Sequence, residues 1–227
     1  MEGTSDRNKL IVLGVFALVA LGIVAAILIG RAGGDDESST AASTGDCEQV
    51  KAPPPKKVSF KAAKNTVSPG EKVTAAVETS CGTFEIALDS KRAPKTVNSF
   101  VFLSEEGFYD GLTFHRVAPG FVIQGGDPLG TGSGGPGYSV DEKPPANLAY
   151  TKGVVAMAKS PTEPPGRSGS QFFVVLGADA GLPPEYALVG KVDEGMDVVE
   201  RIGKLGGAPE EKPKQTVLIE KISIEKG

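Results

Sequence analysis

The sequence predicts a mainly β protein: a single closed barrel carrying two α-helices, preceded by one membrane-spanning helix and a flexible linker. Three observations carry that reading. Short apolar stretches recur between turn signals from about residue 71 onward, only two later segments show helical spacing, and residues 10–30 run without a charge. Glycine (30) and proline (17) make up 47 of the 227 residues, ordinary for turn-rich β structure and high for a helical bundle.

The first element is the run from Leu10 to Gly30, 21 residues with no charged or strongly polar group. At 1.5 Å per residue it spans about 30 Å, the hydrocarbon thickness of a bilayer, and it is apolar all round where a core helix keeps a polar stripe. It is longer than a signal h-region and no clear A-x-A site follows it, so an uncleaved anchor is expected. Arg7 and Lys9 precede it, whereas Arg31 is soon followed by Asp35, Asp36 and Glu37. The positive-inside rule then leaves residues 1–9 in the cytoplasm and the rest outside the cytoplasmic membrane. From 31 to about 57 the composition, GGDDESSTAASTGD and then Pro53, Pro54 and Pro55, cannot bury a core, and residues 31–70 are expected to be a flexible linker.

The domain proper, 71–227, begins with strands at 72–78 and 83–88, where Phe84, Ile86 and Leu88 alternate with smaller or polar residues. Pro94 suits a first helical turn, Val97, Phe100, Val101 and Leu103 give an apolar stripe, and Gly107 can end the helix. Strands follow at 113–117, 121–125, 153–158, 172–176, 187–192 and 216–224, with a second helix over 196–204 before Gly206 and Gly207. Cys47 and Cys81 are the only cysteines, and an even count beyond a membrane anchor reads as a disulfide, two unrelated thiols being the alternative.

Composition excludes several function classes. With one histidine and no tryptophan, a multi-histidine metal site and a tryptophan-lined sugar cleft are out. A formal charge of -4 argues against nucleic acid, whose binders carry a concentrated basic excess. Gly130, Gly132 and Gly135 satisfy G-x-G-x-x-G, but Pro136 and Gly137 follow where a helix must open, so a surface loop is expected. No G-x-S-x-G elbow exists, and His115 reads as structural.

One segment stands out. In FHRVAPGFVIQGGD, residues 114–127, two apolar strands meet at a Pro-Gly turn, the first carrying Arg116 and the second Gln124. Paired as a hairpin, Gln124 can hold the Arg116 guanidinium over an apolar surface, and Gln171 and Phe173 share a strand face further on. A surface arginine with scattered core aromatics is the alternative that spacing leaves open.

That segment, followed by MAKS and GSQFFV, resembles the cyclophilin family of peptidyl-prolyl cis-trans isomerases over about residues 72–226. The resemblance implies an eight-stranded antiparallel β-barrel capped by two helices, with a groove on its outer face. It also implies Arg116 as the catalytic arginine and Gln124 as its partner. Phe121, Val122, Phe173 and Leu182 match the wall of the proline pocket, Tyr186 stands where a pocket histidine is frequent, and Ala158, Lys159 and Gln171 match positions that contact the peptide beside the proline. Lys159 replaces a frequent asparagine, and Gly181 the tryptophan associated with tight cyclosporin binding. The anchor, tether and cysteine pair resemble membrane-anchored cyclophilins of actinobacteria. Implied substrates are proline-containing peptides or unfolded exported proteins, on a monomer with no metal and no cofactor. A non-catalytic binding module and an envelope scaffold are the competing readings, and retention of Arg116, Gln124 and Phe173 together argues against them.

Overall fold

The structure, a computed structural model, describes residues 46–207 and 209–227. The expected cytoplasmic stretch 1–9, the anchor 10–30 and the linker up to 45 lie outside the described residues. Among the described residues no helix is long and apolar enough to cross a membrane.

Period-2 alternation builds the first hairpin. β1 (Val73–Thr79) buries every second residue, as β2 (Gly82–Leu88) buries Phe84, Ile86 and Leu88, and the two pair antiparallel from Val73↔Leu88 to Thr79↔Gly82. α1 (Pro94–Glu105) has proline in its first turn and no side-chain cap of its own. The carboxylate of Glu142 takes that role from a distant loop, accepting from the N–H groups of Lys95 (3.1 Å) and Thr96 (2.7 Å), where the helix dipole favours negative charge.

The remaining elements are short. β3 (Leu112–Thr113), β4 (Arg116–Ala118), β5 (Val122–Gly125), β6 (Val140–Asp141), β7 (Val154–Met157), β8 (Arg167–Ser168), β9 (Phe172–Val175) and β10 (Leu188–Glu194) precede α2 (Met196–Lys204). β11 (Gly206–Gly207), β12 (Lys212–Pro213) and β13 (Leu218–Lys226) complete the chain. Nine strands form one antiparallel sheet in the order β3-β13-β1-β2-β10-β7-β9-β5-β4, and β6 with β8 and β11 with β12 make separate two-residue ladders.

The sheet curls but its ladder is not closed, which corrects the expected closed eight-stranded barrel. The strand anticipated at 113–117 is broken at Phe114 and His115. Phe114 is fully buried and its N–H donates to Val217 (3.0 Å), so the chain leaves one edge of the sheet at β3 and joins the opposite edge at β4. Two residues of chain, rather than a row of hydrogen bonds, span the seam.

Two apolar clusters follow. The larger packs the inner face of the sheet against both helices and includes Phe84, Phe100, Phe114, Phe172 and Ile202. The smaller lies on the other face, around Ala118, Val122, Tyr150, Ala156, Phe173, Val175 and Leu188. β7 and β9 feed both clusters, which is why they read as unbroken apolar runs.

Residues 46–70 form no helix or strand, yet the linker expected to reach residue 70 is fixed to the domain from Cys47 onward. Cys47 is disulfide-bonded to Cys81. The Lys56 ammonium donates to the carbonyls of Gly107 (2.6 Å), Phe108 (3.1 Å) and Asp110 (3.0 Å), in the turn just beyond the C-terminus of α1. Phe60 lays its ring edge-on to Phe102 at 5.2 Å, and Asn98 on α1 accepts from the N–H of Thr66 (2.7 Å) and of Val67 (3.1 Å). Composition alone missed this arm because its polar groups are satisfied by the domain and not by each other.

Candidate active site

The site grows from the β4–β5 hairpin. Pro119 and Gly120, with Gly120 at φ 72° and the Phe121 N–H returning to Ala118 (3.0 Å), make the turn, a position where only glycine is unstrained. That turn sets the register Arg116↔Gln124, Val117↔Ile123 and Ala118↔Val122. β9 continues it with Gln124↔Phe173, and β7 with Phe173↔Ala156. One row across four strands therefore carries Arg116, Gln124, Phe173 and Ala156 on the outer face.

Hydrogen bonds then fix the polar members. Arg116 Nη1 donates to Gln124 Oε1 (3.2 Å), Gln124 Nε2 to Gln171 Oε1 (3.0 Å), and Gln171 Nε2 to the carbonyls of Gly132 (3.0 Å) and Gly134 (2.9 Å). The guanidinium lies 5.7 Å from the Phe121 ring centroid, within cation–π range. The glycine-rich loop that was set aside as a nucleotide motif is thus the far anchor of this relay. It is pinned by buried Asp127, which accepts from the N–H groups of Leu129 (2.8 Å), Thr131 (2.9 Å) and Gly132 (2.5 Å). Burial would raise the Asp127 pKa, but the surrounding backbone N–H groups outweigh it and hold the carboxylate below its ordinary range.

The apolar part of the site is the smaller cluster. Val122 and Phe173 are buried in it, and Phe121, Ala158, Leu182 and Tyr186 pack against it. Phe173 and Tyr186 meet edge-on at 5.6 Å, and Tyr150 meets Tyr186 edge-on at 5.9 Å. Tyr150, which sequence reasoning missed, is fully buried; its hydroxyl donates to the Tyr186 carbonyl (2.6 Å) and accepts from the Tyr186 N–H (2.9 Å). Burial pushes its pKa up to about 12 despite that bond, so it stays a neutral clamp. Ala158 donates its N–H to the Gln171 carbonyl (2.8 Å). Lys159 folds its side chain away from water, 5.5 Å above Tyr186 and 3.3 Å from the Glu185 carboxylate. Gly181 sits at φ 63° with open space where a side chain would begin.

All ten residues anticipated for catalysis and substrate contact are therefore on this one face. Cys47 and Cys81 are not: their bond belongs to the larger, inner cluster. His115, at the seam, has no hydrogen-bond partner on either ring nitrogen among the described residues, and burial lowers its pKa. Glu211 was also missed. It lies 95 residues from Arg116 and accepts from its Nε at 2.5 Å. Among the described residues no cluster of histidine, cysteine and carboxylate side chains could hold a metal ion.

Comparison with known proteins matches residues 74–224 to the family model described as cyclophilin type peptidyl-prolyl cis-trans isomerase/CLD. The chain is 40% identical over 177 residues to the peptidyl-prolyl cis-trans isomerase A of Mycobacterium tuberculosis, covering 70% of this chain and 96% of that one. It is 39% identical over 153 residues to the peptidyl-prolyl cis-trans isomerase-like 1 of Neurospora crassa, 66% of this chain and 92% of that one. A crystal structure of a Cryptosporidium parvum cyclophilin type peptidyl-prolyl cis-trans isomerase superposes with a TM-score of 0.64 at 31% identity, covering 69% of this chain and 99% of that one. The same parvum protein in the presence of the dipeptide Ala-Pro gives 0.63 at 31% identity, over 68% and 99% of the two chains.

Proposed function

The chain belongs to the cyclophilin-type peptidyl-prolyl cis-trans isomerases and catalyses rotation about Xaa-Pro bonds, and from that premise we propose that Arg116 is the group that lowers the barrier, acting on exported proteins outside the cytoplasmic membrane. The single observation that carries the catalytic part is the row in which Arg116 and Gln124 stand beside Phe173 over an apolar cluster.

Rotation must overcome about 18–20 kcal/mol of amide resonance, while cis and trans Xaa-Pro differ by only about 0.5–1 kcal/mol. No bond is made or broken, so the task is to favour the twisted state over both planar ones. As the C–N bond twists, the prolyl nitrogen regains a lone pair. A planar guanidinium held at Nη1 by Gln124 donates to that lone pair with little reorganisation. Val122, Phe173 and Leu182 grip the pyrrolidine ring, and Ala158 and Gln171 border the peptide on either side. That a dipeptide Ala-Pro accompanies the parvum structure supports a groove of this kind for proline-containing peptides.

The extracytoplasmic setting rests on the uncharged run 10–30, read as an N-in single-pass anchor, and is supported by the Cys47–Cys81 disulfide, a bond that persists in oxidising compartments. The enzyme is proposed to work as a monomer. Xaa-Pro isomerisation by residues 46–227, compared with the Arg116→Ala variant, tests the catalytic assignment. Carbonate washing of membranes and protease treatment of intact cells test the location, where recovery of a soluble form starting after residue 30 would remove the anchor.

A further inference from the structure

Gln124 holds one edge of the Arg116 fork; a second edge is held from a part of the chain that the pattern of strands does not reach. β11 and β12 pair as Gly206↔Pro213 and Gly207↔Lys212, and Glu211 lies in the turn between them. This small hairpin lies against β4. A Cβ at Gly206 would stand 2.6 Å from the Val117 carbonyl and 2.7 Å from Pro119, so only glycine permits the approach. Glu211 is then joined to β4 twice: its carbonyl accepts from the Val117 N–H (2.6 Å), and its carboxylate accepts from Arg116 Nε (2.5 Å).

Its backbone is the second observation. Glu211, at φ 54°, is the only non-glycine residue with positive φ among the described residues. Such a position favours glycine, and strained residues persist where the side chain contributes something glycine cannot. Here that something is a carboxylate on the Nε edge of a planar guanidinium whose Nη1 edge is already held.

We propose that Glu211 is a positioning residue for Arg116, an inference that rests on the catalytic reading of Arg116. With Nε on Glu211, Nη1 on Gln124 and the Phe121 ring 5.7 Å away, the fork has one rotational setting, and Nη2 is the edge without a protein partner among the described residues. A donor fixed before the substrate arrives loses no orientation in the twisted state, so the effect falls on kcat and not on binding of the planar peptide.

Glu211→Gly separates this role from a structural one, because glycine relieves the backbone while removing the carboxylate. The expected result is a melting temperature equal to or above the parent's, a kcat lowered by about tenfold and a KM within about twofold, short of the 10²-fold that a 1 Å misplacement can cost. Glu211→Gln keeps an acceptor at the same reach and is expected within about threefold of the parent kcat. In an Arg116→Ala background Glu211→Gly is expected to do nothing further. A glycine variant with the parent kcat, a glutamine variant as impaired as the glycine one, or equal losses in both backgrounds would each overturn the proposal. Full activity of Arg116→Ala would instead remove the reading beneath it.

Discussion

Arg116 and Phe60 both lie outside the ladders' interior, but they are held there by different means. Arg116 stands on an edge strand, where pairing with Gln124 and, through it, Phe173 fixes its register along the sheet. Phe60 belongs to an arm with no regular structure, held by scattered backbone bonds such as those of Lys56 to Pro128 and Phe60 to Pro136 (both 2.8 Å), the Phe60 ring on Phe102, the Lys56 ammonium and a disulfide. The groove face gains its geometry from continuous register, in which each residue is over-determined. The arm gains position from a few strong, separate fasteners, each of which can be lost alone. Damage to the first is therefore expected in rate, and damage to the second in stability.

The largest effect that sharpens this contrast is at the groove. Losing a preorganised donor typically costs about 2.7–4 kcal/mol, 10²–10³ in rate. Arg116→Ala is expected to lose that much kcat/KM on an Xaa-Pro peptide with an unchanged melting temperature, and Arg116→Lys to recover little, since an ammonium lacks the planar fork. A folded Arg116→Ala variant within threefold of the parent would break the comparison at its active end.

On the arm, replacing Cys47 and Cys81 by serine opens a loop with a sequence separation of 34, worth about 3–4 kcal/mol by the chain-entropy estimate. Chemical denaturation should show a loss of that order while kcat/KM stays near the parent value. A large drop in rate with little change in stability would mean that the arm, which reaches Pro128 and Pro136 in the loop behind Gln171, shapes the groove.

Smaller is the effect of Lys56→Met. Three carbonyls lose a charged donor, and breaking hydrogen bonds to a charged group costs about 1.5–3 kcal/mol. Limited proteolysis within residues 48–66 should accelerate in this variant at temperatures where the nine-stranded sheet resists cleavage. Unchanged cleavage would show that Phe60 and the disulfide suffice.

The smallest effect concerns pH at the seam. His115 is the only histidine, and its folded pKa lies below the ordinary value of about 6.5 because of burial, with Asp127 opposing and Arg116 adding to the shift. The unfolded chain therefore binds a proton that the folded one refuses: stability is full above about pH 6.5 and declines as pH falls toward the folded pKa, by at most about 1.4 kcal/mol per unit. His115→Met should flatten urea midpoints between pH 7.5 and 5.5, and an unaltered slope would locate the proton elsewhere.

Much of this molecule was legible as local pattern. Period-2 alternation placed Phe84, Ile86 and Leu88 on one face, Pro94 and the stripe from Val97 to Leu103 marked α1, and a Pro-Gly turn between apolar strands put Arg116 opposite Gln124. Those features depend on residues a few positions apart, where backbone geometry leaves few choices. What the tertiary structure alone decided depends on residues far apart in the chain. It split one anticipated strand so that β3 and β4 became opposite edges, docked the arm through Lys56 and Phe60, locked Tyr186 with Tyr150, and brought Glu211 to an arginine 95 residues away. None of these has a periodic signature, because a carbonyl cluster, a buried hydroxyl or a carboxylate in a turn becomes a partner only when the folded chain path brings together residues that are far apart in sequence.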